Sequence, residues 1–155
     1  MFWKILESSE YLETKHVIGT DEHGCASNNI NLFNTFQYTV FVPTNEAVDS
    51  LINNGILPTW EQVEEATLDG DEEKADSLTQ EINLFLKYHI QDNSVFIGQG
   101  AVSGKFETSA YKVVDGNLSY YKVTTVADNS HITVTDEAGN SRHVTKKPGL
   151  YNLMA

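Results

Sequence analysis

Tyr38-Thr39-Val40-Phe41-Val42-Pro43-Thr44-Asn45-Glu46-Ala47-Val48 is the stretch whose reading decides the fold. Its first five residues are β-branched or aromatic, the composition of a strand. Pro43 stops that strand, because proline has no amide hydrogen to give to a ladder. Thr44 then suits the cap of a following helix, and Glu46 suits the positive end of its dipole. Val48, Leu51 and Ile52 give this helix an apolar face, and Asn54-Gly55 predicts a left-handed stop.

Downstream, Thr59-Trp60-Glu61-Gln62 has the spacing of a capping box, with Pro58 just outside it. A third helix is expected from about Asp71 to Ile90, where Leu78, Ile82, Phe85, Leu86 and His89 recur at helical spacing. Strands are then expected at Ser94–Ile97, Tyr111–Val114, Leu118–Val126 and His131–Thr135, with turns at Asp115-Gly116-Asn117 and Glu137-Ala138-Gly139-Asn140. Upstream, Phe2, Ile5, Leu6 and Leu12 share one face of an expected helix over Phe2–Leu12. The polar, asparagine-rich stretch from His16 to Gln37 reads as a long loop. Helices segregated from a block of antiparallel strands predict an α+β fold in one domain over residues 1–155.

Composition narrows the function. The 155 residues are 40% hydrophobic and 21% charged, which is globular, and 22 acids against 10 bases leave a formal charge of −12. Phosphate backbones and anionic membranes would be repelled, so nucleic acid is excluded as a partner. Insertion into a bilayer is not expected, since no run approaches the roughly 20 apolar residues required. The segment Glu61–Ile82 holds nine acids and one base. It reads as a solvated acidic insertion, because the alternating oxygen ligands of a calcium loop are missing from it.

Catalytic patterns are lacking. There is no glycine-rich phosphate loop, nucleophile elbow or His-Glu-x-x-His pair. Cys25, the single cysteine, has Asp21 and Glu22 beside it, which oppose a reactive thiolate. His16, His23 and Cys25 match no established metal spacing. No enzyme, metal or cofactor is expected. His89 stands out, because a histidine on an apolar helix face must find a hydrogen-bond partner. Thr44 and Asn45, after Pro43, are the candidates for a clamp.

Thr39–Val48 resembles the first signature of fasciclin domains, a strand entering Pro-Thr-Asn-x-Ala and a helix. Leu86-Lys87-Tyr88-His89-Ile90 resembles the family's Tyr-His motif, and Phe106-Glu107-Thr108 the threonine-bearing strand that follows it. The resemblance implies helices packed on a wedge of twisted antiparallel strands. It also implies a non-catalytic adhesion module of a surface protein, bacterial or other, exported to the cell surface or beyond. Its partner would be an extracellular protein or glycan. Tyr88 and His89, flanked by Leu86 and Ile90, are the binding residues so implied, and Pro43, Thr44 and Asn45 the structural ones. A small apolar or carbohydrate ligand held between helices and sheet is the alternative. The family's closing strand, of the type Asn-Gly-Val-Ile-His-x-Ile-Asp, is not found before Ala155. A domain short of its last strand is therefore expected, with an unpaired sheet edge open to self-association. The first ten residues show no export signal, since Glu7 and Glu10 interrupt any apolar run.

Overall fold

The computed structural model describes residues 1–9, 12–15, 27–30, 38–92, 95, 103–127 and 131–144. The chain falls into two compact units: Met1–Phe36 with Val42–Lys87, and Gln37–Phe41 with Tyr88–Ala155. The first holds α1 (Phe2–Glu7), the strand pair β1 (Leu12–Lys15) and β2 (Ser27–Ile30), α2 (Asn45–Asn53), α3 (Trp60–Leu68) and nearly all of α4 (Glu72–Tyr88). The second holds β3 (Tyr38–Val40), β4 (Ile90–Asp92), β5 (Gly104–Val114), β6 (Asn117–Ala127), β7 (Ile132–Thr135) and β8 (Ser141–Val144).

In the first unit the helix ends follow local sequence chemistry. The Thr44 hydroxyl accepts from the Ala47 amide at 3.3 Å and so caps α2. Gly55, at φ +68°, lets the Gly55 and Ile56 amides turn back onto the Ile52 and Leu51 carbonyls. Thr59 and Gln62 exchange the two bonds of a capping box at the start of α3. Asp71 caps the Lys74 amide at 3.1 Å as α4 begins. Phe2, Leu6, Val48, Leu57, Ala66, Ala75, Ile82 and Leu86 are buried. The Phe2 and Phe85 rings lie 6.1 Å apart, and the Trp60 indole donates to the Ile5 carbonyl at 2.9 Å.

Two expectations fail here. The first helix stops at Glu7 rather than running to Leu12, since the Ser9 hydroxyl and amide both turn back onto the Leu6 carbonyl. Such local bonds compete with helix continuation. Leu12 begins β1 instead, paired antiparallel with Ile30 of β2, a strand inside the stretch read as loop. The acidic segment Glu61–Ile82 forms most of α3, the turn after it and the first part of α4. Its nine acids are all exposed, as a solvated face requires.

The second unit is one antiparallel sheet in the order β3-β4-β5-β6-β7-β8. Asp115 (φ +50°) and Gly116 (φ +77°) turn β5 into β6, both central residues being left-handed as a tight hairpin demands. The expected Ser94–Ile97 strand lies outside the described residues except at Val95. The strand that is described, β4, begins at Ile90, where helix was expected.

Between Glu107 and Tyr111 the β5–β6 register shifts, leaving Thr108, Ser109 and Ala110 opposite Tyr121 alone. Two extra residues preserve the side-chain alternation that one would reverse. The Thr108 hydroxyl secures the bulge, donating to the Tyr121 carbonyl at 3.0 Å and accepting from the Ala110 amide at 3.3 Å. Even-numbered residues of β5 and odd-numbered residues of β6 therefore stay on the inner face, where Thr108, Ala110, Val123 and Thr125 are buried.

One buried polar bond ties β4 to β6. The Thr125 hydroxyl donates to Gln91 Oε1 at 2.6 Å, with both residues fully buried. Among the described residues, the Gln91 Nε2 has no hydrogen-bond partner. Removing the hydroxyl would strand the amide oxygen as well, at a cost of about 1–3 kcal/mol. Thr125→Val is therefore expected to lower the urea-unfolding stability by that amount. The double variant Thr125→Val with Gln91→Leu, which removes both polar partners, should recover most of it.

Candidate functional site

The two motif segments meet as neighbouring strands. β3 pairs with β4 in the register Tyr38↔Asp92, Thr39↔Gln91 and Val40↔Ile90. One step on, the Phe41 amide donates to the His89 carbonyl at 2.9 Å. His89 is thus a turn residue just after α4, half-buried, and not a core residue on the helix face. Leu86 and Ile90 are buried at 0% and 2% exposure. In the first unit, Thr44 caps α2, and Asn45 Oδ1 accepts from the Met1 amino group at 2.7 Å. Pro43 is half-buried between strand and helix.

Tyr88 sits in an aromatic and charged cluster that the sequence did not reveal. Its ring meets Tyr121 edge-on, with centroids 5.7 Å apart, and lies 6.5 Å from the His89 ring. Lys112 Nζ stands 4.7 Å from the Tyr121 ring centroid and 3.6 Å from Glu137 Oε2. Glu137 Oε1 also accepts from the Lys122 amide at 3.0 Å. These residues come together because Lys112 and Tyr121 share the inner face that the bulge preserves. The expected signal was only their residue types, spread over 50 positions.

The surface that the sequence missed altogether lies on the opposite face of the β5–β6 hairpin. Tyr111 stands opposite Tyr120 and Val113 opposite Leu118. Two rings 5.9 Å apart and two aliphatic side chains thus form one face, and all four residues are at least 40% exposed. Among the described residues this half of the hairpin pairs with no other strand, since β4 reaches β5 only at Thr108 and β7 reaches β6 only from Thr124.

Elsewhere, a solvent-open cleft of about 310 Å³ is lined by Ile52, Leu57, Pro58, Gln62, Leu78 and Glu81. That volume is at the lower end of ligand pockets. Among the described residues no three His, Cys, Asp or Glu side chains gather as a metal site. His16, His23 and Cys25 lie outside the described residues. No described helix is long and apolar enough to cross a membrane.

Partial burial raises the Tyr88 phenol above its ordinary value, the Asp136 carboxylate raises it further, and a hydrogen bond with the Glu137 backbone opposes both. The folded protein therefore holds this proton more tightly than the unfolded chain. The resulting stability is complete below the ordinary tyrosine value near 10 and is lost as pH rises through the folded one. The melting-temperature advantage of the native protein over Tyr88→Phe should shrink above about pH 10. A difference constant from pH 8 to 11 would contradict this account of the cluster.

Comparison with known proteins places this arrangement. No curated protein and no solved structure matches the chain. A protein-family model described as "Fasciclin domain" matches residues 21–149, which include both motif segments and every strand of the six-stranded sheet. The α+β architecture agrees, and the chain belongs to the fasciclin domain family.

Proposed function

We propose that this chain is a non-catalytic adhesion module that binds an extracellular protein through the outer face and open edges of the β5–β6 hairpin. Fasciclin domains are generally extracellular adhesion or interaction modules, which supplies the functional class. The exposed Tyr111, Val113, Leu118 and Tyr120 face is the observation that carries the finer reading. Exposed apolar faces on a soluble fold mark contact sites, and tyrosines bring large area at low conformational cost. Among the described residues no strand lies beside this half of the hairpin, and a partner strand added to a sheet edge gains main-chain hydrogen bonds, with alternate side chains giving specificity.

Charge favours the same surface. Residues 109–120 carry only Lys112 and Asp115, a net charge of zero in a chain of −12. The half-buried Tyr88 and His89 form a second, smaller surface on the same sheet unit. The alternative of a small ligand draws on the cleft beside α2 and α3, where bound material would add to the intact mass of natively purified protein.

Immobilised extracellular-matrix proteins should bind the native chain saturably. The double variant Val113→Asp with Leu118→Asp should abolish that binding while leaving the melting temperature within a few degrees, since both residues are more than half exposed. Undiminished binding in the double variant, together with loss in Tyr88→Ala, would move the contact to the Tyr-His surface. Binding to a glycan array alone would replace the protein partner.

A further inference from the structure

The β7–β8 hairpin carries two imidazoles on one face. Thr133 stands directly opposite His143, and His131 lies two residues before Thr133, immediately ahead of β7. Alternation therefore makes His131 and His143 diagonal neighbours. Their ring centroids are 6.1 Å apart at an interplanar angle of 73°, and both side chains are exposed. The Thr133 hydroxyl is 3.0 Å from His143 Nδ1.

From this geometry we propose that His131 and His143 bind one late first-row transition ion, with copper(II) held more tightly than zinc(II). Imidazole nitrogens bind such ions at about 2.0–2.1 Å, which puts two coordinating rings roughly 5 Å apart at zinc's tetrahedral angle and about 4.5 Å apart in cis positions of copper's tetragonal geometry. The observed rings need to close by about 1–1.5 Å, within reach of rotamer adjustment of exposed side chains. The strand pairing holds the two backbones in register, so little ordering remains for the ion to impose. When His143 Nδ1–H donates to the Thr133 hydroxyl, the lone pair is left on Nε2, the orientation that second-shell bonds give ligating histidines.

Nitrogen ligands also select the ion. Imidazole suits copper, nickel and zinc, whereas magnesium and calcium seek oxygen. Two protein ligands leave coordination positions for water, so this is a grip across two strands and not a closed structural site. Its direct effect is to clip β8, a four-residue edge strand, onto β7.

Titration calorimetry of the whole chain with copper(II), zinc(II) and magnesium chlorides at neutral pH tests the site. One copper ion per chain is expected, bound more tightly than zinc, with no saturable heat from magnesium. His131→Asn and His143→Asn should each remove the saturable binding, and Thr133→Val should weaken it about tenfold. Binding should also weaken on acidification, because protons compete for the ligating nitrogen. Unchanged metal-free melting temperatures will show that the variants fold. Saturable copper binding that survives both histidine substitutions overturns the proposal by placing the ion elsewhere, and so does its absence from the native chain.

Discussion

A single main-chain bond, from the Phe41 amide to the His89 carbonyl, fixes where the two halves of the family signature come together. Pro43 is what makes that bond the last of its ladder. With no amide hydrogen at position 43, the strand must leave the sheet and the chain is free to start α2. On the other side, α4 must end at Tyr88 for the His89 carbonyl to face a strand and not the next turn of a helix. The consequence reaches along the sheet. Once Val40 is set opposite Ile90, Gln91 is carried into the interior, where it meets the Thr125 hydroxyl, and β6 is tied to β4 across β5.

This explains why the histidine behaves differently from its expected role. Helical spacing extends to position 89, since the residues 78, 82, 85, 86 and 89 repeat correctly. Periodicity counts side chains and takes no account of carbonyls claimed by a strand. Pairing with β3 takes over at His89 and Ile90, so the helix ends at Tyr88, two residues before the expected Ile90. Its burial is the same in either reading, so hydrophobicity could not distinguish them.

Features governed by one or two neighbouring residues were legible. The Thr44 cap, the Thr59/Gln62 box, the glycine stop at Gly55 and the Asp115-Gly116 hairpin all depend on short-range geometry, and all are present. The β1–β2 pair was not legible. Its strands, Leu-Glu-Thr-Lys and Ser-Asn-Asn-Ile, are mostly polar, and their pairing lies in a partner more than ten positions away. The hairpin face was hidden for the opposite reason. Apolar residues such as Tyr111, Val113 and Leu118 mark a strand without telling whether anything packs on it. Among the described residues no strand lies beside this part of the hairpin.

The same shortage of neighbours is an argument about energetics. A hairpin longer than the strands beside it leaves apolar area and backbone groups in water, a cost that the fold does not recover within the described residues. The segment from Glu61 to Ile82, with nine exposed acids and one base, carries a net charge of −8 out of −12, while residues 109–120 of the hairpin are neutral. Repulsion between copies reaches only about 8 Å at physiological salt. Within that range like-charged acidic faces repel one another, whereas residues 109–120, with no net charge, add no repulsion of their own against an approaching strand.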